Sequence, residues 1–240
     1  MAAGEETPNA SAANGIDGPA SYLRDWVYGG IDGAVTTFAI VAGVAGASLS
    51  TNVVLILGFA NLVADGFSMA AGNYSSSRTE LEQYDKLLGQ VRQLTRNEPE
   101  AARADLARIY RGKGFGEDEA SHIVDTISRN ETGWAQTIMV EQFGLSPVTR
   151  SPIRAALNTY AAFLVCGIVP ILPYLVGLGF TASGIMTGLV FFAIGSLKSR
   201  WTDANWYRSG LSTLLVGGAA AAIAYLIGYG LELVIGDTAI

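Results

Sequence analysis

Two long apolar runs near the start of the chain constrain its fold more than any other feature. They read DGAVTTFAIVAGVAGASLSTNVVLILGFANLVADGFSMAAGNY, from Asp32 to Tyr74, and a short polar turn at 50–52 separates them. Each run is close to the roughly 20 residues that a helix needs to cross a bilayer. The connection is so short that the two helices must be antiparallel neighbours. The runs therefore predict two adjacent transmembrane helices, over about 26–47 and about 53–75.

Composition supports an integral membrane protein. Half of the residues are hydrophobic and 15% are charged, whereas a soluble domain carries about 25% charged residues. The 29 glycines suit packed transmembrane helices, in which small residues let backbones approach closely. The net charge of -6 argues against a nucleic-acid partner. A single cysteine, Cys166, excludes an internal disulfide and a multi-cysteine metal site.

Changes in composition divide the chain into four parts. Residues 1–21 lack periodicity and predict a disordered tail. Residues 22–77 hold transmembrane helices 1 and 2. Residues 78–150 carry many charges with apolar residues at helical spacing, which predicts a cytoplasmic helical domain. Residues 151–240 hold transmembrane helices 3–5.

The last part contains three further apolar runs, at about 153–176, 182–197 and 211–235. Pro170 and Pro173 should kink the first of these, because proline removes a backbone donor and clashes with the preceding turn. The predicted fold class is therefore an all-α integral membrane protein. It has five transmembrane helices, with a cytoplasmic helical insertion between helices 2 and 3.

The basic residues predict the orientation of the chain. All 15 lysines and arginines fall into three places: Arg24, the insertion through Arg154, and the 198–208 connection between helices 4 and 5. Cytoplasmic loops carry an excess of Lys and Arg. The N-terminus and residues 78–150 are therefore predicted to be cytoplasmic, with the C-terminus outside.

Polar side chains form a line inside the first two predicted helices. Asp25 and Asp32 are seven residues apart on helix 1 and share a face. Helix 2 carries a stripe spaced by four residues: Asn61, Asp65, Met69 and Asn73. Carboxylates are costly at membrane depth and usually face a pathway or a partner. Oxygen ligands suit Mg2+, Ca2+ or Mn2+, and the Met69 sulfur shifts the preference toward softer ions such as Fe2+.

Each candidate also has a structural interpretation. Asn61 and Asn73 could hydrogen-bond across helices as packing contacts, and Met69 could fill a gap in the core. Asp25 could favour a helix N-terminus. In the insertion, acidic clusters could bind divalent cations. Alternatively, they form solvated helix faces whose basic partners are Arg78, Arg103 and Arg108.

Four segments of the sequence resemble one transporter family. They are RDWVYGGIDGAVTTFAIVAGVAG, ANLVADGFSMAAGNYSSSRTELEQY, GWAQTIMVEQFGL and IVPILPYL, which together span most of residues 24–175. They are similar to the vacuolar iron transporter family. The resemblance implies a homodimer of five-helix subunits that moves Fe2+, or Mn2+, out of the cytoplasm in exchange for protons. It also implies a path between the first helices of the two subunits and a cytoplasmic domain that collects metal.

The resemblance assigns roles to individual residues of the membrane helices. Asp32 matches the pathway aspartate, Asp25 the aspartate one heptad earlier, and Met69 the pathway methionine. Asn61 stands where some members have a glutamate, and Asp65 supplies a carboxylate one turn later.

The match is poorer in the insertion. Val91, Leu94 and Arg103 align with glutamates of the metal-collecting members, whereas Glu100 and Glu141 are retained. The most that the sequence predicts there is a weaker metal site around Glu80, Glu100 and Glu141.

Two classes of function follow from these observations. The first is a secondary transporter exporting Fe2+ or Mn2+ against protons, in a bacterial inner membrane. The second is a membrane metal-binding or scaffold protein that does not transport, with a transporter of another divalent cation between the two. The sequence contains no nucleophile–base constellation and no nucleotide-binding glycine loop, so we expect neither an enzyme nor a bound cofactor. The metal would be a substrate.

Overall fold

The computed structural model describes residues 22–147, 150–201 and 204–236. These residues form helices and a short 3-10 turn at Ser199–Trp201, without a β-strand. The predicted tail at 1–21 lies outside the described residues. The helices, in chain order, are α1 (Leu23–Gly46), α2 (Thr51–Asn97), α3 (Pro99–Gly112), α4 (Glu117–Ser128), α5 (Glu131–Phe143), α6 (Pro152–Gly167), α7 (Leu172–Leu175), α8 (Gly179–Lys198) and α9 (Trp206–Gly236).

Four of these helices are long and apolar enough to cross a membrane: α1, α2, α8 and α9. The third predicted span differs from this group. Its helix, α6, has 16 residues and ends at Gly167, and the chain then turns into the single helical turn of α7. Pro170 and Pro173 explain the break, since proline cannot continue the backbone hydrogen bonds of a helix. The count of five spans therefore remains a prediction.

The chain divides into two compact units. Residues 1–74 and 151–240 form the first, here called the membrane unit, and residues 75–150 form the second, called the helical unit. Helix α2 continues without interruption across position 75.

Helix α1 is the centre of the membrane unit. It packs against α6, α8 and α9. More than half of its apolar segment, 56%, is buried inside the protein, against 22–28% for the other three long helices. A central helix whose neighbours all come from later in the chain positions its polar residues among several partners.

Glycines allow the close contact of α1 with α6. A Cβ atom on Gly29 would lie 2.5 Å from the carbonyl oxygen of Thr159, and one on Gly33 would meet the backbone of Phe163. The sequence predicts that glycines let the backbones of membrane helices approach closely, and the structure confirms this at Gly29 and Gly33. Both glycines are fully buried against α6 because no side chain separates the two backbones.

The helical unit is organised differently, around side chains. Its buried core combines residues of α2, α3, α4 and α5, among them Val91, Leu106, Val124, Trp134 and Ile138. Helix α5 ends at Phe143, and the next residue, Gly144, has a left-handed backbone (φ 67°). Glycine tolerates this conformation at the end of a helix without a steric penalty.

Candidate functional site

The polar residues of α1 and α2 meet in antiparallel register. The Asn73 side-chain amide donates a hydrogen bond to Oδ1 of Asp25, with 3.1 Å between the atoms. Seven residues further along α1, the charge of Asp65 acts on Asp32. Asp65 lies eight residues before Asn73 on α2, so the hydrogen bond and the charge interaction advance in opposite directions along the two helices. This order is the one expected of antiparallel helices.

Asp32 and Asp65 form a pair of like charges in the membrane unit. Both side chains are half-buried. Among the described residues, no lysine, arginine or histidine forms an ion pair with either carboxylate. Two carboxylates that act on each other in a medium of low dielectric repel, and a bound cation offsets that repulsion. Divalent cations commonly take such oxygen ligands.

Asp25 lies deeper, at a junction of three helices. It is 6% exposed. The Asn73 amide that bonds to Asp25 also contacts Thr159 Oγ1 of α6 at 2.6 Å and the carbonyl oxygen of Ala155 at 3.3 Å. Asn73 thus makes the cross-helix packing contact that the structural interpretation predicts. Asp25 is a buried carboxylate, and Asn73 supplies one of its hydrogen-bond donors.

Met69 and Asn61 have different surroundings. Met69 is partly buried and packs against the cluster of Leu62, Phe163 and Ile171. This position fits the gap-filling interpretation of a methionine. The Asn61 amide nitrogen is buried and has no hydrogen-bond partner in the described part of the chain. The amide nitrogen of Asn73 donates hydrogen bonds to other helices, whereas that of Asn61 donates none within the described residues.

The three candidates in the helical unit are not brought together. Glu80 is exposed. Glu100 pairs with Arg103 at 2.7 Å, and Glu141 pairs with Lys113. Within the described residues, no group of three or more His, Cys, Asp or Glu side chains could hold a metal ion. Two of the carboxylates that the sequence predicts as ligands, Glu100 and Glu141, are therefore paired with basic side chains.

The Lys113–Glu141 pair lies beside Tyr110. The Lys113 ammonium is 5.5 Å from the centre of the Tyr110 ring. Burial raises the pKa of Tyr110, the negative charge of Glu141 raises it further, and Lys113 acts in the opposite direction. This cluster is a local electrostatic network of the helical unit, in which Lys113 takes the position that a cation would need beside Glu141.

A groove of about 630 Å³ lies elsewhere in the membrane unit, between α1, the start of α2 and α9. Its lining is apolar except for Glu232, whose carboxylate accepts a hydrogen bond from Ser48 Oγ at 3.1 Å. None of the candidate residues lines this groove.

Sequence reasoning missed one member of the polar contacts, Thr159. This threonine is 2% exposed and lies in the apolar run of α6. A hydroxyl residue in such an apolar run could have indicated a contact between helices, because Ser and Thr side chains often hydrogen-bond between membrane helices. Its partner could not be inferred from the sequence, since the register between α2 and α6 depends on how the helices pack.

The chain is similar to known proteins over most of its length. The model of the VIT family matches residues 23–229. A vacuolar iron transporter of Toxoplasma gondii (strain ATCC 50861 / VEG) is 32% identical over 232 residues, which cover 90% of this chain and 76% of that protein. Vacuolar iron transporter 1 of Oryza sativa subsp. japonica is 30% identical over 210 residues (85% and 82%), and that of Arabidopsis thaliana is 28% identical over 210 residues (85% and 84%).

The family match and the long apolar helices lead to the same conclusion. Four helices have the length and composition of membrane spans, and the relatives are named as transporters. The protein is an integral membrane protein. Because the family model covers far more than half of the chain, the protein belongs to the VIT family.

Proposed function

We propose that the protein is a secondary transporter that moves Fe2+, with Mn2+ as a second substrate, out of the cytoplasm in exchange for protons. The observation that carries this proposal is the Asp32–Asp65 pair. The two carboxylates act on each other inside the membrane unit, and no basic side chain of the described residues pairs with them. A divalent cation or a proton offsets their repulsion, so one pair of side chains can serve both substrates.

Ligand chemistry supports a transition metal as the transported ion. Asp32 and Asp65 offer hard oxygen ligands, and Met69 lies one helical turn from Asp65 with a soft thioether sulfur. A mixed oxygen and sulfur set favours Fe2+ over Mg2+ or Ca2+. The names of the relatives, vacuolar iron transporters, support the same ion.

We further propose that two copies of the chain form a homodimer, with the path between their first helices and lined by α1 and α2. Asp32 is half-buried in one copy, so a second copy can complete its coordination. In this arrangement α6 and α7 together make the third of five spans. The N-terminus and residues 78–150 lie in the cytoplasm and the C-terminus lies outside, as the distribution of basic residues predicts. The membrane is a bacterial inner membrane, as the resemblance to bacterial members of the family implies.

One observation favours the scaffold alternative. Asp25, Asn73 and Thr159 form a buried contact between three helices, which a protein without transport activity would also need. The two functions differ in whether metal crosses the bilayer.

Metal-driven proton flux in proteoliposomes tests the proposal. We expect the wild type to admit Fe2+ and Mn2+ and to move protons in the opposite direction, and Asp32→Ala to lose both fluxes. Asp105→Ala is a matched control, because Asp105 is a carboxylate of the helical unit paired with Arg108. Unchanged flux in Asp32→Ala would refute the assignment. Metal flux without proton movement would refute exchange with protons. Metal binding without flux would support the alternative of a scaffold protein that does not transport.

A further inference from the structure

Asn73 connects three helices of the membrane unit through one side-chain amide. Its nitrogen is 3.1 Å from Asp25 Oδ1 on α1, and 2.6 Å from Thr159 Oγ1 and 3.3 Å from the Ala155 carbonyl oxygen on α6. An asparagine amide carries two N–H donors. With three acceptors around the nitrogen, the orientation of the amide is fixed by its surroundings.

Thr159 is itself held in place. Its hydroxyl donates to the Ala155 carbonyl oxygen at 3.0 Å, so its oxygen accepts the hydrogen bond from Asn73. Thr159 is 2% exposed and stands where Gly29 lets α1 approach the backbone of α6. The contacts therefore run in sequence from the α6 backbone through Thr159 and Asn73 to the Asp25 carboxylate.

A buried carboxylate needs hydrogen-bond donors, because removing it from water is costly. A lysine or arginine at position 73 would supply donors, but its positive charge would repel an approaching divalent cation. The Asn73 amide donates a hydrogen bond and adds no charge. It therefore stabilises and orients the Asp25 carboxylate without itself adding a positive charge.

We propose that Asn73 is a positioning residue, resting on the proposed function, that holds the Asp25 carboxylate in place for the divalent cation entering the path. Asn73 acts through Asp25 and need not touch the metal. Thr159 fixes the Asn73 amide and contributes to the same effect. Groups that orient metal ligands are typically worth about 10- to 100-fold in metal affinity.

Mn2+ binding to the full-length protein in detergent, followed by electron paramagnetic resonance, tests this role without depending on transport. Asn73→Leu keeps the approximate side-chain volume and removes the donors. We expect it to raise the Kd for Mn2+ by about tenfold or more, the range for loss of a ligand-orienting group. In proteoliposomes the KM for Mn2+ should rise in parallel, with a smaller change in the maximal rate. Thr159→Val should act in the same direction and more weakly.

Two further variants separate positioning from packing. Thr187→Val is the control, because Thr187 is also a fully buried threonine bonded to a backbone carbonyl, in α8. It should leave the Kd for Mn2+ unchanged. In an Asp25→Asn background, Asn73→Leu should have no additional effect on the Kd, since the carboxylate that it positions is absent.

The outcomes distinguish this inference from the proposed function. If Asp25→Asn raises the Kd for Mn2+ and Asn73→Leu does not, or if the two effects add, Asn73 is not a positioning residue. A wild type that binds Mn2+ and moves none refutes transport, and the Kd comparison still decides the role of Asn73. Absence of Mn2+ binding by the wild type overturns both. If Asn73→Leu does not fold, Thr159→Val provides the same comparison.

Discussion

Carboxylates in the two units of this protein have opposite surroundings. Among the described residues of the helical unit, six ion pairs join acidic to basic side chains, as between Arg96 and Glu131 at 2.5 Å. In the membrane unit, the charge of Asp65 acts on Asp32, and neither carboxylate forms an ion pair with a described basic side chain. The difference shows that the number of acidic residues is a poor guide to a cation site. A carboxylate is available to a metal ion where no protein cation neutralises it.

The two units also differ in how their helices pack. In the membrane unit, glycines such as Gly29 and Gly33 bring helix backbones into contact. In the helical unit, Leu106, Trp134 and their neighbours form an apolar core that excludes water. Lipid is as apolar as the side chains, so membrane helices gain from close packing and not from hiding apolar surface. The following predictions test both contrasts, from the largest expected effect to the smallest.

Removing a charge should matter in one unit and not in the other. Asp65→Asn should lower metal flux in proteoliposomes by up to about 100-fold, the upper range for loss of a group that supports metal binding. Glu100→Gln should leave the flux unchanged, because this carboxylate is 83% exposed and already paired with Arg103. Equal losses in the two variants would contradict the distinction between the units.

An added methyl group should destabilise the protein at Gly29 but not at Gly72 or Gly89. In Gly29→Ala the new Cβ would lie 2.5 Å from the Thr159 carbonyl oxygen, and overpacking of this kind costs about 1–3 kcal/mol. Gly72→Ala and Gly89→Ala, where nothing lies within 4 Å of the added atom, should be neutral or stabilising by up to about 1 kcal/mol. Thermal unfolding in detergent measures all three, and similar midpoints for the three variants would refute the packing contrast.

The smallest effect concerns Tyr110 in the helical unit. Its pKa is raised from the ordinary value of 10.0, first by burial and then by Glu141, while Lys113 opposes the rise. The folded chain thus holds the phenol proton more tightly than the unfolded chain. Stability is constant below the unfolded pKa and falls as the pH rises through the folded pKa.

Lys113→Gln should therefore move the pKa of Tyr110 further upward, since it removes the opposing charge. Tyrosinate absorbance against pH measures the shift, with Tyr110→Phe subtracted to isolate this residue. A downward shift would contradict the opposing effect of Lys113 on Tyr110.

Local pattern predicted some contacts and could not predict others. The basic partners that the sequence assigns to the acidic clusters, Arg78, Arg103 and Arg108, form ion pairs three or four residues away along the same helix. Helical periodicity places such residues on one face. The Lys113–Glu141 pair joins residues 28 positions apart. Its formation depends on how the helices of the helical unit pack, which no local pattern records.

The membrane unit gives the same lesson. The two polar stripes and their antiparallel arrangement follow from spacing and from the short turn between α1 and α2. The length of α6 does not, because Pro170 and Pro173 predict a kink in a span of about 24 residues, yet the helix ends at Gly167. The two prolines predict that the helix is interrupted, but the residue at which it ends depends on how the neighbouring helices pack. Here the Ser183 hydroxyl donates a hydrogen bond to the Pro170 carbonyl oxygen at 2.7 Å and so satisfies one backbone acceptor at the break.

The contact between the first and last helices has a consequence for biosynthesis. Gly46 of α1 lies against the backbone of Tyr225, and Gly228 of α9 lies against that of Gly43. Helix α1 leaves the ribosome well before α9, the helix that it packs against here. Contacts between distant parts of a chain form slowly, because a long loop must close first. Gly43 and Gly46 of α1 therefore wait for their partner until α9 is made, and a chain that stops before Gly228 cannot form the Gly43–Gly228 contact.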